Sequence, residues 1–562
     1  MAALSLLGLA ALVGFQAGTP DSAAVHRRAR SAQADFERYR RAHLPVAGPT
    51  GGLHEERIGR FRFWHDDGQA PPPAELPRVR GARAHLLAQL DTAAAAVRGD
   101  GWVAGQLVRY LVEHDSTGRA VTVAQRCTAA AWWCLALEGL ARHAGGDFAG
   151  AEMAFDRALE VMPPERRCAW TDASQLLEGD FRQRYRRLPC ADREALNDRI
   201  WWLARPLSLL SGNDRRTEHL ARMTMVELYR DARNGHGIPW GSDMAEIMVR
   251  YGWVTAWSQE PSRPGSMDDA AIVGHQRSPG FRFLPTPAAL AEPFAAVAGD
   301  WDLKRIAPRD VYAPAYADSF VALSHQVAAF RRGDSTLVLA AYDLSIDPGF
   351  ARGGVEVALE LSGGPERETV IARRGTPRGA LQATIGPGAV LVGLDAFSRA
   401  ARRAARSRSA LPVSAPIGVT ISDLLLLEPA DSLPRLLDQA VPLMLATTDL
   451  GSRRRVGVFW EVYGLSPGGE LVEIAVAARR TGTGVLRRAA HALGLASPSD
   501  PVRIEWQESP RTLGRSLLLD LSALGPGRYR IELTVAAAQQ DPITVWRDIR
   551  LGKASGERAS RQ

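Results

Sequence analysis

Residues 132–163 carry small and aromatic side chains at the spacing of two helices that pack closely together. The segment reads WWCLALEGLARHAGGDFAGAEMAFDRALEVMP. Its apolar residues recur at three- and four-residue steps on both sides of a short break at Gly145 and Gly146, which is typical of amphipathic helices. Small residues let two helices approach, and aromatic residues fill the gap between them. The segment therefore predicts a helical hairpin.

Eight positions of this hairpin resemble the tetratricopeptide repeat family in identity and spacing. They are Gly139, Gly146, Phe148, Ala151, Phe155, Ala158, Leu159 and Pro163. The stretch 101–127 is a shorter, degraded second copy. Because repeats of this kind bury their faces against neighbours, we expect the other helices of 78–163 to complete a stack. The resemblance implies protein binding, and the alternative is an ordinary helical hairpin.

The pattern changes to short strands beyond residue 315. SHQVAAFRR and STLVLAAYDLS flank the turn Gly333-Asp334, which predicts a hairpin, and short strands with turn signals follow up to the last unit. Six strands in the stretch 437–552 suit an immunoglobulin-like sandwich. The predicted fold class is multidomain α + β, with an N-terminal helical repeat region followed by two antiparallel immunoglobulin-like β-sandwiches.

A chain of 562 residues is long enough for several domains of ~100–200 residues each. A Pro cluster marks the end of the first segment, and a long Pro- and Gly-punctuated stretch separates helices from strands. The predicted segments are 1–24 (signal peptide or anchor), 25–77 (N-terminal segment and Pro-rich linker), 78–163 (tetratricopeptide-like), 164–260 (helical), 261–314 (irregular linker), 315–430 and 437–552 (β-sandwiches) and 553–562 (disordered tail).

The N-terminus carries an apolar stretch from Ala2 to Phe15, the length of a signal-peptide core and short for a membrane span. Ser22-Ala23-Ala24 offers small residues for cleavage before Val25. We therefore expect an exported protein, periplasmic or associated with the cell envelope. It would contact the membrane only if this segment stays uncleaved.

The four cysteines agree with export. They are Cys127, Cys134, Cys168 and Cys190, an even number within one short stretch, which favours two disulfides in an oxidising compartment. Three pairings are open. A bridge between Cys127 and Cys134 requires a helix boundary between them, since one continuous helix would hold their Cα atoms ~10 Å apart. Zinc binding is the weaker alternative, because no CxxC pair is present.

The net charge of +7 arises from 69 basic and 62 acidic residues. These charges are scattered along the chain, so neither nucleic acid nor an anionic surface is predicted as a partner. The densest basic run would either grip an anion or form a solvated face. Its members are Arg399, Arg402, Arg403, Arg406 and Arg408.

The region 164–260 is rich in Trp and Arg and resembles the GWxTD-domain family of exported bacterial proteins. The matching pieces are Trp201, Trp202, Asn213, Arg215, Glu218, Arg222, Trp240, Asp243, Arg250, Tyr251 and Gly252. Where the family has Gly-Trp-x-Thr-Asp, this chain reads Pro-Trp-Gly-Ser-Asp at 239–243. The family brings no established activity, so the resemblance implies export and modular architecture and assigns no reaction.

Catalytic candidates are confined to one cluster of acidic and histidine residues between 213 and 252. Glu218, His219 and Asp243 would be its acid/base members, near His236 and Glu246. A helix would place Glu218 four residues from Arg222, where an ion pair is the alternative. No ligand spacing or phosphate loop is present, so we expect neither a metal nor a cofactor.

Tryptophans are the binding candidates, because their rings stack on carbohydrate or proline-rich ligands when exposed; their alternative role is packing. They are Trp132, Trp133, Trp201, Trp202, Trp240, Trp253 and Trp257. The leading hypothesis is an exported, non-enzymatic scaffold or adaptor that binds another envelope protein through its helical repeats. The alternative is an envelope hydrolase or carbohydrate-active protein that uses the cluster at 213–252.

Overall fold

The computed structural model describes residues 21–47, 55–64, 71–260, 271–304, 308–411, 418–465, 471–481, 502–509, 512–537 and 540–553. Most of the predicted signal segment and tail, and parts of the predicted linker, lie outside these residues. A helical region comes first and β-sheets follow, as predicted. The chain divides into two compact units, 1–171 with 217–277 and 172–216 with 278–562.

The first half of the chain is mainly helical. Its elements are α1 Ser22–Ala42, β1 Glu55–Ile58, β2 Phe61–Trp64, α2 Pro77–Ala96, α3 Gly101–Glu113, α4 Thr117–Arg126, α5 Ala131–Ala144, α6 Phe148–Val161, α7 Pro164–Trp170, α8 Gly179–Arg187, α9 Cys190–Ala204, α10 Asp214–Arg230, α11 Ser242–Tyr251, β3 Val254–Glu260 and β4 Ala271–Gln276. Helices α8 and α9 belong to the second unit.

Three of the helices in the first unit begin at an aspartate that caps them. The side chains of Asp21, Asp100 and Asp147 accept hydrogen bonds from backbone N–H groups in the first turns of α1, α3 and α6, groups that have no partner inside a helix. Helices α1 to α6 each pack against the next in the chain. The helices therefore form a sequential array.

The predicted hairpin of 132–163 is present as α5 and α6. Gly139 in α5 faces Phe155 in α6, and a Cβ atom at Gly139 would lie 2.7 Å from the Phe155 ring. The two helices therefore approach at a point where only a residue without a side chain fits.

A disulfide joins Cys127 and Cys134, whose Cα atoms are 5.7 Å apart. Helix α4 ends at Arg126 and α5 begins at Ala131, so a helix boundary separates the two cysteines, as this pairing requires. Cys168 and Cys190 are disulfide-bonded as well, and no cysteine is free.

The second unit continues with short helices and strands. They are α12 Pro287–Ala291, β5 Ser319–Val321, β6 Ser324–Arg332, β7 Ser335–Asp343, α13 Pro348–Gly353, β8 Val355–Ser362, β9 Glu368–Gly375, β10 Arg378–Ile385, β11 Val390–Ser398, β12 Arg403–Leu411, β13 Thr420–Ile421, β14 Leu425–Leu427, α14 Leu437–Ala440, β15 Asp449–Gly451, β16 Arg455–Tyr463, β17 Val472–Arg480, β18 Val502–Glu508, β19 Gly514–Asp520, β20 Gly527–Ala537 and β21 Ile543–Leu551.

These strands form two pairs of sheets. In the first pair, the sheet β10-β7-β6 shares a hydrophobic core with the sheet β5-β12-β11-β8-β9. In the second pair, β16 with β13, β14 and β19 shares a core with β15-β21-β20-β17-β18. Strands β6 and β7 pair antiparallel around Gly333-Asp334, which confirms the predicted hairpin.

The structure corrects the prediction that was made for the basic run 399–408. Arg406 and Arg408 lie on β12 two residues apart, so both point to the same face of the sheet, and both are buried. Arg408 donates a hydrogen bond to Glu360 Oε2 over 3.1 Å. The expectation of a solvated face is therefore wrong for these two arginines, and Arg408 is engaged by a carboxylate of the chain itself. Arg402 remains at the surface, where it pairs with Asp318.

Strand structure also replaces part of the predicted helical and irregular regions. Strands β3 and β4 pair antiparallel, although 164–260 was expected to be helical and 261–314 irregular. Strands β1 and β2 form a second small hairpin with Glu55 opposite Trp64. Both hairpins belong to the first unit.

Candidate functional site

A pocket that is open to solvent lies in the first unit. The helices α10 and α11, the hairpins β1–β2 and β3–β4, and the loop that follows α10 provide its walls. The lining residues are Phe61, Tyr229, Asn234, His236, Trp240, Met244, Ile247, Met248, Gly252, Val254, Trp257 and Gln276. The pocket is therefore built mainly from aromatic and other apolar side chains.

Two of the predicted binding tryptophans, Trp240 and Trp257, line this pocket. Trp240 stacks on Tyr229 with ring centres 5.3 Å apart, and Trp257 meets His236 edge to face at 4.8 Å. Both tryptophans are only partly buried. A Cβ atom at Gly235 would lie 2.7 Å from the Trp257 ring, so the loop has a glycine where the indole passes.

His236 sits between aromatic neighbours and is uncharged at neutral pH. Its ring meets Phe61 at 5.0 Å on one side and Trp257 on the other. Burial lowers the pKa of His236 to about 4, because an imidazolium loses hydration in such surroundings. The wall that His236 contributes is thus polar but neutral.

Two ion pairs fasten the hairpin β1–β2 to α11. Arg60 lies in the turn of the hairpin and binds the Asp243 carboxylate through two hydrogen bonds of 2.6 and 2.7 Å. The Arg250 guanidinium donates to both carboxylate oxygens of Glu56 over 2.8 Å. These contacts hold Phe61, the residue after Arg60, at the pocket.

Gly252 ends α11 with φ of +93°, a backbone conformation that favours glycine. A Cβ atom at this position would lie 3.3 Å from Arg222 Nη2. The same arginine donates from Nη1 to the carbonyl oxygen of Val249 over 3.0 Å. Arg222 thus fixes the end of α11 from helix α10.

Glu218 is buried in ion pairs. Its Oε1 accepts from Arg222 Nε over 2.7 Å, and its Oε2 lies 2.5 Å from His143 Nε2. Burial raises the pKa of this carboxyl, but the Arg222 charge and the His143 hydrogen bond outweigh that effect and hold the pKa well below its usual range. Glu218 is therefore ionised and shielded from solvent, which suits structure better than proton transfer.

The other two acid/base candidates have different surroundings. Asp243 is held by Arg60, and hydrogen bonds from Arg60 keep the pKa of this carboxyl well below its usual range. His219 is buried inside α10. The structure places Asp243 beside the pocket as an anchor, and none of Glu218, His219 and Asp243 lines it.

Three tryptophan candidates have packing roles and are buried. Trp133 donates from Nε1 to the Gly101 carbonyl oxygen over 2.8 Å, and Trp201 and Trp202 are buried in the second unit.

Two further candidates are partly buried. The Arg166 guanidinium covers the Trp132 ring at 4.6 Å, and Trp253 meets His143 edge to face at 6.5 Å. Of the seven tryptophans, Trp240 and Trp257 line the pocket.

The sequence did not indicate Phe61 or Met244 as pocket residues, because the hairpin β1–β2 is separated from α11 by nearly two hundred positions. A signal existed for His236, which belongs to the predicted cluster. Among the residues that the structure describes, no group of three or more His, Cys, Asp or Glu side chains could hold a metal ion.

Comparisons with known proteins leave the chain without a family. No protein-family model matches it, and no curated protein matches it. Among solved structures, the transglutaminase of red sea bream overlaps 41% of this chain and 31% of its own at 8% identity and a TM-score of 0.14. A tetra-tandem repeat from the extending region of a large adhesion protein overlaps 41% of this chain and 49% of its own at 11% identity and a TM-score of 0.14.

The FN1–FN3 domains of chicken CNTN1 overlap 52% of this chain and 85% of their own at 14% identity and a TM-score of 0.15. The chain thus spans about a third of the transglutaminase and about half of the adhesion fragment. Overlaps at these TM-scores support no statement about function. Within the described part of the chain, no helix is both long enough and apolar enough to cross a membrane.

Proposed function

We propose that this chain is an exported, non-enzymatic scaffold or adaptor that binds another protein of the cell envelope through its helical unit. The observation that carries the proposal is the state of the acid/base candidates. Glu218 is held by Arg222 and His143, and Asp243 is held by Arg60. A general base must reach the proton that it removes, and both carboxylates are already engaged by cations.

The sequential packing of α1 to α6 supports the binding role. Arrays of this kind present extended surfaces to partners. Helix α6 leaves two apolar side chains at the surface, Met153 and Val161, with 64% and 54% exposure. We propose that the array consists of tetratricopeptide-like repeats and that the two pairs of sheets are immunoglobulin-like sandwiches that act as spacers.

Membership of the GWxTD-domain group is part of this proposal. Four of the matching residues support it: Trp240 and Gly252 line the pocket, and Asp243 and Arg250 fasten the hairpin β1–β2 beside it. Trp201 and Trp202, which also match, lie in the second unit. Export is supported by the oxidised state of all four cysteines, since disulfides persist in oxidising compartments.

The experiment uses the full chain in its source cells, with a photo-activated cross-linking residue at Met153 in α6. A matched control carries the same residue at Ile346 in the second unit, which is 88% exposed. We expect one discrete adduct with an envelope protein from position 153 and none from position 346. A further protein carries the cross-linking residue at Val161. Absence of an adduct from both position 153 and position 161 would count against the adaptor.

A second arm addresses the hydrolase alternative. The purified full chain is incubated with cell-wall and glycan fragments, beside the variants Glu218→Gln and Asp243→Asn. We expect no turnover by any of the three proteins. Turnover that either substitution abolishes, while the variant stays folded, would establish an enzyme in place of the adaptor.

A further inference from the structure

The pocket of the first unit is electrically neutral. None of its twelve described lining residues is an acid, a lysine or an arginine, and His236 is uncharged at neutral pH because burial lowers its pKa to about 4. A charged ligand would lose its hydration here without gaining a partner of opposite charge. The lining therefore favours an uncharged ligand.

The polar groups at the pocket are few and partly occupied. The amide of Asn234 donates to the Ile238 carbonyl oxygen over 2.9 Å and accepts from the Gly237 N–H over 3.1 Å. The Gln276 amide is a second polar group, and the remaining walls are mainly rings and aliphatic or thioether chains. A sugar, with many hydroxyl groups to satisfy, fits this lining poorly, whereas an apolar body is favoured by the area that it buries.

A cation is disfavoured for a second reason. Aromatic rings attract cations through their faces, but the Arg109 guanidinium already lies 3.8 Å from the centre of the Tyr229 ring. Asp243, the nearest acid on α11, is bound by Arg60. The Tyr229 ring and the Asp243 carboxylate are therefore already engaged by cations.

We propose that this pocket binds a small, uncharged molecule with a largely apolar body, held between Trp240 and Trp257. Met244 and Met248 contribute flexible thioether chains that adapt to ligand shape. This site goes beyond the adaptor role and does not depend on it.

The test titrates the purified full chain with N-phenyl-1-naphthylamine, a neutral apolar dye whose fluorescence rises on transfer from water. We expect saturable binding that weakens about tenfold or more, a change of ~1.4 kcal/mol, in Trp240→Ala. The pocket-filling variant Ile247→Trp keeps the apolar character of the wall and takes up the space, so we expect binding to be lost. The control is Trp546→Ala, which removes a tryptophan that is 56% exposed in the second unit.

Charged analogues test the electrostatic argument. The dye is displaced with naphthalene methanol, naphthoate or naphthylmethylammonium, which share one ring system and differ in charge. We expect the alcohol to compete about tenfold better, or ~1.4 kcal/mol, than either ion. Equal competition by the three compounds would overturn the proposal.

The outcomes also separate this proposal from the adaptor. Dye binding that is the same in the parent chain, Trp240→Ala and Ile247→Trp, with all three folded by circular dichroism, would overturn the ligand site. If these variants instead lose the adduct formed through Met153, the pocket receives a side chain of the protein partner and the small-ligand proposal is wrong. Loss of dye binding with an unchanged adduct supports both proposals independently.

Discussion

Arg60 binds Asp243 across 183 residues of sequence through two side-chain hydrogen bonds, Nε to Oδ2 at 2.6 Å and Nη2 to Oδ1 at 2.7 Å. The backbone N–H of Arg60 adds a third bond to Oδ2 at 3.1 Å. The arginine sits in the tight turn of a hairpin of two four-residue strands, and a hairpin of that size is barely stable alone. The Asp243 carboxylate on α11 therefore helps to hold this hairpin, and Phe61 with it, in place.

Replacing Arg60 with Ala is expected to release the hairpin locally. Amide hydrogen exchange in residues 55–64 should become several-fold faster, because local opening no longer breaks the bonds to Asp243. The midpoint of global unfolding should change little, since surface ion pairs contribute little to overall stability. Exchange measured by mass spectrometry checks both statements.

Arg62→Ala is the matched control, because Arg62 lies on the same hairpin and pairs with Glu55 at the surface over 3.4 Å. This variant should leave exchange of residues 55–64 close to that of the parent chain. Equal acceleration by the two substitutions would mean that the hairpin responds to any lost charge, and the role given to Asp243 would be wrong.

The pair of Glu218 and Arg222 is expected to behave differently, because it is buried. Glu218→Gln keeps the shape of the side chain but leaves the buried Arg222 guanidinium without its counter-charge, and removal of one partner of a buried pair costs ~3–5 kcal/mol. Urea unfolding of the full chain, followed through the helical signal, measures this change in the free energy of unfolding.

Glu227→Gln on the same helix is the control. Glu227 pairs with Arg166 and Arg230 near the surface, where a pair contributes ~0–1 kcal/mol. If Glu218→Gln destabilised the chain no more than Glu227→Gln does, the site would be open to water, and Glu218 would again be a candidate for catalysis.

The helical half could be predicted from the sequence because its signals are local. The apolar period predicted α5 and α6, and the break that contains Asp147 supplies the cap of α6. The i, i+4 spacing predicted the ion pair between Glu218 and Arg222. Each of these features depends on residues within one or two turns of each other.

The pocket could not be predicted in this way, because its walls come from distant parts of the chain. Phe61 is held at the pocket by the pairs Arg60–Asp243 and Glu56–Arg250, and no local sequence pattern indicates those pairings. Charge composition was misleading at β12 for a related reason. Arg408 is buried and pairs with Glu360, which lies on β8, two strands away from β12 in the same sheet. The run therefore resembles a solvated face until the order of the strands is known.

His236 predicts a loss of stability in mild acid. Its pKa is about 4 in the folded chain and ordinarily 6.5, so between these values the unfolded chain holds a proton that the folded chain does not. The contribution of neutral His236 to the free energy of unfolding is therefore complete above pH 6.5 and is lost as the pH drops from 6.5 to 4. This loss is at most about 3 kcal/mol, because solvent at the pocket weakens the effect. Denaturant unfolding at pH 7 and pH 4.5 measures the slope.

His236→Gln should reduce that slope, because glutamine does not titrate, although lost ring packing lowers stability at both pH values. Part of the slope should remain, because burial also lowers the pKa values of His275 and His325. The exposed His85→Gln on α2 serves as the control and should keep the parent slope. The carboxylates of Glu218 and Asp243 become protonated only at lower pH, since their pKa values are depressed. A slope that His236→Gln leaves unchanged would contradict the buried neutral imidazole.

Gly139 and Gly118 should respond to alanine with opposite signs. Both lie in helices, where alanine is intrinsically better than glycine by ~1 kcal/mol. At Gly118 in α4 nothing lies within 4 Å of the new Cβ atom, so Gly118→Ala should raise the free energy of unfolding. At Gly139 the Cβ atom would come within 2.7 Å of the Phe155 ring, and overpacking of this kind costs ~1–3 kcal/mol.

The expected net effect of Gly139→Ala is therefore destabilising, measured by urea unfolding beside the parent chain. The double variant Gly139→Ala with Phe155→Leu tests the cause, because the smaller side chain vacates the space that the new methyl group needs. The double variant should be less destabilised than the sum of the two single substitutions predicts. Additive effects would mean that α5 and α6 do not meet at this glycine, and the close approach that suggested a repeat would lose its physical basis.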